Sequence, residues 1–365
     1  MLSFRRAVVA AALFLTALFL LSRSHSTTTS PIHSTASADG KASRKQQPAG
    51  AASTDERPAP ETAQKPMMDL SKLPLREQLA HQYPYDLHTK FPAYIWQTWK
   101  TTPNKGKFDF REQEASWTEL HPGFVHEVIT DDVAVALLRL LYAGVPAVLE
   151  AYRALPLPVL KADFFRYLIL FARGGIYTDI DTYAIRSAIE WIPPSVPRDS
   201  VGLVIGIEAD PDREDWAQWY SRRIQFCQWT IQAKPGHPAL RETIARVTEE
   251  TLRRKASGEL ENTPDWGVVE FTGPALWTDA LFDYFNDERF SSTGPAGVVD
   301  WRNFTGMETP RKVGDVLVLP ITGFSPGVGQ MGAKEYDDPQ AMVKHDFEGT
   351  WKPEEERHIG EVVQE

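Results

Sequence analysis

From about residue 91 onward, short apolar runs alternate with stretches whose apolar positions recur every three or four residues. These are the patterns of strands and of amphipathic helices. Residues 94–99 read as a buried first strand. Residues 114–120, 132–142 and 145–153 read as helices, with a strand at 123–129 between the first two. Residues 160–172 form the clearest helix, stopped by Gly174 in C-cap position. Strands follow at 176–181 and 201–208. Alternating strands and helices imply an α/β sheet. No internal repeat and no second domain boundary is visible.

Upstream the pattern changes. Arg5 and Arg6 precede an apolar run from Ala7 to Leu21, broken only by Thr16. A membrane-spanning helix usually takes about 20 residues, so the run is short for one and has the length of a signal-peptide core. Ser22-Arg23-Ser24-His25 makes a poor cleavage site, and Ala36-Ser37-Ala38 lies too far downstream. The expectation is an uncleaved anchor extended by Phe4 and Ser22, with the two arginines keeping the N-terminus cytoplasmic. Residues 23–68 lack Phe, Trp, Tyr and Leu. Such a segment buries too little apolar surface to offset its ordering entropy, and reads as a flexible, O-glycosylated stem. The expected layout is an anchor at 1–22, a lumenal stem at 23–90, one catalytic domain at 91–353 and a charged tail at 354–365, as in a type II membrane protein.

Composition narrows the function. The chain has 365 residues, 42% of them hydrophobic, enough for one sizeable core. A net charge of -10 argues against a nucleic-acid binder, which must neutralise phosphates. With Cys227 as the single cysteine, an intramolecular disulfide and a cysteine-based zinc site are both excluded, and a small buried hydrophobe is its expected role. Asn303-Phe304-Thr305 is an N-glycosylation sequon, in keeping with a lumenal domain.

The chemistry concentrates between Lys161 and Asp181. Asp179 and Asp181 flank one apolar residue, so in extended backbone both carboxylates point the same way. Adjacent carboxylates repel unless a cation sits between them, and an oxygen-rich pair suits Mg²⁺ or Mn²⁺. A divalent ion there can bridge a diphosphate and stabilise it as a leaving group. Gly174 and Gly175 let backbone approach a ligand or turn tightly. On the preceding helix Asp163 and Arg166 share a face. An arginine is a natural clamp for a diphosphate, and an aspartate accepts hydrogen bonds from sugar hydroxyls. Asp-x-Asp alone is a weak signal, because a solvated turn carries it equally well.

Joined to the helix, the double glycine and the aromatic, the segment resembles the glycosyltransferase family with the Asp-x-Asp sugar-binding region, which includes fungal α-1,6-mannosyltransferases. Ala162, Asp163, Arg166, Tyr167, Gly174, Gly175, Tyr177, Asp179 and Asp181 fill the family pattern, with Ile169 in its leucine slot. The likeness extends to Ile95-Trp96-Gln97-Thr98-Trp99-Lys100, where Trp96 replaces the family histidine. It continues in Gln225, Gln228, Trp229, Gly236-His237-Pro238 and Thr272-Gly273-Pro274, and in His345, Gly349, Trp351 and Lys352 near the end.

The resemblance implies a single-domain GT-A fold, GDP-mannose as donor and transfer with retention. It implies Asp181, Asp179 and His345 around the metal, with Lys352 on the diphosphate. Asp163 and Arg166 would face the donor hexose, Trp99 would stack on the base, and Gly175 and Tyr177 would line the substrate. The acceptor would be a glycan on a glycoprotein or glycolipid in the Golgi. Three rivals remain: a hexosyltransferase using a UDP-sugar, a phosphohydrolase, and a lumenal protein that binds sugar nucleotide without turnover. No further His and Asp set for a two-metal hydrolase is visible. Rossmann, P-loop and His-Glu-x-x-His signatures are absent. Glu208 and Asp210 read either as acceptor-side acids or as exposed loop residues. His237 reads as a helix-start feature.

Overall fold

The computed structural model describes residues 69–105, 107–211, 213–218, 220–260, 267–289 and 297–349. The anchor, residues 23–68 of the stem, Lys352 and the charged tail lie outside the described residues. Among the described residues no helix is long and apolar enough to cross a membrane.

The elements follow the order α1 (Leu75–Gln82), β1 (Tyr94–Thr98), α2 (Arg111–Leu120), β2 (Val125–Ile129), α3 (Asp131–Leu141), α4 (Pro146–Ala154), α5 (Pro158–Arg173), β3 (Gly175–Thr178) and β4 (Thr182–Ala184). Then come β5 (Leu203–Ala209), β6 (Gln225–Phe226), β7 (Thr230–Ala233), α6 (Pro238–Ser257), α7 (Gly267–Phe271), α8 (Pro274–Asn286), β8 (Arg311–Val313), β9 (Val316–Leu319) and β10 (Val343–His345). Helices α4, α5, α6 and α8 each start on proline, whose missing N–H costs nothing at a first helical position. On α6, Leu240, Ile244, Val247 and Thr251 are buried at helical spacing. His237 caps that helix by accepting from the Ala239 amide, as the sequence suggested.

The main sheet runs β2-β1-β3-β7-β5-β9-β8, with β6 added on β5. Strand β1 lies parallel to β2 and β3, whereas β7 runs antiparallel to both β3 and β5. Strand β5 is therefore parallel to β3, and the carboxyl ends of β1, β3 and β5 share one edge. Successive residues face opposite cores, the period-2 rule at work. Trp96, Tyr177, Leu203, Ile205, Val316 and Val318 join the core under the helices. Ile95, Ile176, Val204, Leu317 and Leu319 join a second core with Trp117 of α2 and Trp191. Across that second face β10 pairs antiparallel with β4. Cys227 is fully buried in the same core, as expected.

Two boundaries move. The strand expected at 176–181 stops at Thr178, and Asp179 to Asp181 turn the chain into β4. Residues 69–90, expected in the stem, belong to the folded body. Leu79 is wholly buried, and Arg76 bonds Glu242 at 2.7 and 2.9 Å. The Tyr83 hydroxyl donates to the Leu141 carbonyl at 2.6 Å, and the Tyr85 hydroxyl donates to Asp315. The contacts that anchor this segment are long-range.

Candidate active site

The helix α5 carries the first part of the site. All of its residues from Asp163 to Ala172 are buried, because it lies between the sheet and the other helices. Gly174, at φ 64, ends it and lets β3 begin at once. Asp163 and Arg166 are each 3% exposed. Arg166 donates to Asp163 at 2.6 Å through Nη1 and to Asp179 at 2.9 Å through Nη2. Burial pushes the Asp163 carboxyl up, while Arg166, Thr272 and Gln228 pull against it. Asp163 also accepts from Gln228 at 3.2 Å and Thr272 at 2.8 Å. These three donors fix the carboxylate, which in turn holds Arg166.

Tyr177 is fully buried, with the Arg166 guanidinium 5.1 Å from its ring centroid and its hydroxyl 3.1 Å from Thr98 Oγ1. It packs against the guanidinium, in keeping with the core alternative for this residue. Gly175 is constrained by the neighbouring strand. A Cβ there would lie 2.6 Å from the Tyr94 carbonyl, so its glycine permits the close approach of β3 to β1.

The Asp179 backbone is fixed on three sides. Its amide donates to the Trp229 carbonyl at 2.8 Å, and its carbonyl accepts from Gln97 at 3.1 Å and from Thr182 at 2.7 Å. His126 Nε2 lies 2.9 Å from Gln97 Oε1 and orients that amide. Burial, aided by nearby His121, lowers the His126 pKa to about 4, so its ring is neutral at pH 7.

Asp181 is tied to the far end of the chain. His345 Nε2 lies 3.1 Å from its Oδ1, and the Glu348 amide donates to its Oδ2 at 3.2 Å. Burial opposes its charge, yet the His345 ring and these hydrogen bonds hold the carboxyl below its usual range. For His345 burial works downward, and Asp181, Asp179 and Glu208 outweigh it to raise the ring. Trp229 lies 4.5 Å from that ring, and Phe347, with φ 51, lies 4.0 Å from it. Donor atoms of Asp179, Asp181 and His345 all fall within 4.8 Å of one another. Two carboxylates and one imidazole suit a small divalent cation. The His345 Nδ1 and the Arg166 Nε are buried without partners, a sign of a site built for something more than packing.

Trp99 follows β1 on the same edge, edge-on to Phe110 at 4.8 Å and under Lys100 at 4.9 Å. Its Nε1 is buried without a partner. Glu208 ends β5 two strands from Asp179, with one oxygen accepting from Gln225 Nε2 at 3.0 Å. Burial is the main force raising its carboxyl above the ordinary range. Asp210, by contrast, is held by Arg223, Thr305 and the Gly306 amide. Sequence reasoning gave no role to Trp229, Gln97 or Thr182. Their signal was their place at the carboxyl edge, beside the acids. A cleft elsewhere, between α1, α6 and α8, is lined by four arginines and four carboxylates, and shares no residue with this site.

Residues 108–197 match the family model described as "Glycosyltransferase sugar-binding region containing DXD motif", a span that includes Asp163, Arg166, Asp179 and Asp181. The chain is 50% identical to the initiation-specific α-1,6-mannosyltransferase of Candida albicans, over 76% of each chain. The Schizosaccharomyces pombe protein of the same name is 46% identical, over 74% of this chain and 66% of that one. Its Saccharomyces cerevisiae namesake is 35% identical, over 78% and 83% respectively.

Proposed function

The chain belongs to the family of Asp-x-Asp glycosyltransferases that holds the initiation-specific α-1,6-mannosyltransferases, and on that premise we propose that it is a retaining α-mannosyltransferase using GDP-mannose. Its acceptor is a glycan of a glycoprotein or glycolipid, and it works in the Golgi lumen behind its N-terminal anchor. The donor sugar rests on the relatives' names, and the location rests on the apolar run, the stem composition and the sequon. A GT-A fold accords with the mixed sheet and with the acid pair just past β3, the edge where open α/β sheets bind ligands.

The convergence of Asp179, Asp181 and His345 carries the reading. These residues would hold Mn²⁺ or Mg²⁺, which supplies positive charge to the departing diphosphate. Arg166 aims the Asp179 carboxylate, and the buried Asp163 keeps Arg166 in line. Trp99 offers an aromatic face to the guanine base. Lys352 would meet the diphosphate and lies outside the described residues. The acceptor hydroxyl attacks the anomeric carbon from the face that the nucleoside diphosphate leaves, which retains configuration.

The test is nucleoside diphosphate release from GDP-mannose and from UDP-hexoses by the full chain, with Mn²⁺ or with EDTA. Mannose transfer lost with EDTA and reduced more than 100-fold in Asp181→Ala is the expected result. Turnover of a UDP-sugar in place of GDP-mannose would overturn the donor, and a fully active Asp181→Ala would overturn the site.

A further inference from the structure

Along the ligand edge of the sheet the order is β1, β3, β7, β5. Trp99 closes β1, Asp179 and Asp181 follow β3, Trp229 precedes β7, and Glu208 stands at the end of β5. If the base lies over Trp99 and the diphosphate at the acids, the hexose extends across Trp229 towards β5. Whatever receives the hexose must then approach from the β5 and β6 side.

Glu208 is the carboxylate at that side. It is the one charged residue of β5, whose other six residues are fully buried. An acid at the end of so apolar a strand is costly without a task. Its neighbour Asp210 has three partners and anchors a loop. Glu208 accepts from Gln225 at 3.0 Å, which steers one oxygen, and otherwise meets the Trp229 indole. Gln225 pairs at this point because β5 and β6 shift register between Ile207 and Ala209. Such irregularities in a ladder re-aim side chains beside active sites. The Trp229 indole lies beside the Glu208 carboxylate and 4.5 Å from the His345 ring.

We propose that Glu208 binds the acceptor, its carboxylate accepting a hydrogen bond from an acceptor sugar hydroxyl. Gln225 acts as the positioning residue that fixes the carboxylate. Glu208 forms no bond to the anomeric carbon, so the donor half of the reaction proceeds without it. The inference deepens the proposed transferase reading and rests on it.

The experiment separates the two halves on the full chain. Hydrolysis of GDP-mannose by water reads the donor side, and transfer to a mannose-terminated oligosaccharide reads both. In Glu208→Ala, kcat/KM for the acceptor should fall about 30- to 100-fold, the loss expected when one hydrogen bond to a charged group goes. Donor hydrolysis and donor KM should stay within about twofold. The near-isosteric Glu208→Gln guards against misfolding and should lose less. Gln225→Ala should raise acceptor KM by a few-fold, leaving hydrolysis alone. Transfer at the wild-type level in Glu208→Ala overturns this inference while the transferase reading stands. Hydrolysis and transfer falling together in Glu208→Gln, with an unchanged melting temperature, would put Glu208 on the donor side and overturn it too. A wild-type chain inert towards every nucleotide sugar sinks both readings at once.

Discussion

Two clusters of buried polar groups in this domain are made of similar parts and end differently. At Asp315, the hydroxyls of Tyr85 and Tyr284 donate to the two oxygens, and His237 Nε2 lies 3.4 Å away. Burial works against the Asp315 charge, yet His237 and the two phenols hold its carboxyl well below the usual range. That cluster ties residues 69–90 to the core through Tyr85. At Asp163, Gln228 and Thr272 donate to the carboxylate, Arg166 joins it to Asp179, and there the sequence of bonds runs out. Asp179, Asp181 and His345 bring donor atoms within 4.8 Å of one another, with His345 Nε2 3.1 Å from Asp181 Oδ1. Buried charge is common to both clusters and marks neither as functional, and each keeps a buried nitrogen without a hydrogen-bond partner, His237 Nε2 in the first and Arg166 Nε in the second. The mark is the convergence of Asp179, Asp181 and His345.

The comparison breaks most visibly at Arg166. In Arg166→Met, Asp163 and Asp179 lose their shared cation while staying close together. Unfolding in denaturant should show a loss of about 3–5 kcal/mol, the usual effect of removing one partner of a buried pair, with transfer abolished. Turnover within tenfold of wild type would show that Asp179 does not depend on the guanidinium. Asp315→Asn should instead cost about 1–3 kcal/mol, because an amide replaces a carboxylate that two phenols require. Transfer per folded molecule should stay within twofold of wild type. A specific activity that falls further would give this cluster a role beyond clamping.

The smallest effect concerns pH. Arg76, with help from Arg246, holds the half-buried Glu242 carboxyl at about 2, below its ordinary 4.5. A depressed carboxyl adds stability that is complete above about 4.5 and disappears as the pH falls towards 2. Glu242→Gln should flatten part of the decline in melting temperature across that window. At pH 7 it should cost about 0.2–1 kcal/mol, since the pair is partly solvated. An unchanged acid limb would show that the pair does not bear on the attachment of α1.

Much of the donor side was legible from residues 161–181, because helix, double glycine and acid pair sit within one short stretch. What those residues do to one another was not. The sequence offered Asp163 as a sugar contact and left Tyr177 between core and site wall, and the fold adds that both pack on Arg166. Gly175 was read as a ligand approach or a tight turn, and the steric need visible in the fold comes from Tyr94 on the next strand. Periodicity identified β5 and ended it near Glu208, but the neighbour that gives Glu208 its setting arrives through pairing with β6. Long-range pairings of this kind leave no periodic trace. Residues 69–90 were misplaced although Leu70, Leu73, Leu75, Leu79 and Leu87 set them apart from 23–68, because the contacts that anchor them are long-range.

The pairing of β10 with β4 also sets a time. His345 lies 164 positions after Asp181, which it bonds. At synthesis rates of about 5–20 residues per second, roughly 8–30 s separate the appearance of the two. Throughout that interval the nascent chain carries its acid pair without the imidazole opposite. A chain ending before residue 345 would never complete the cluster. Competence therefore comes late in the life of the polypeptide, after the sheet is laid down.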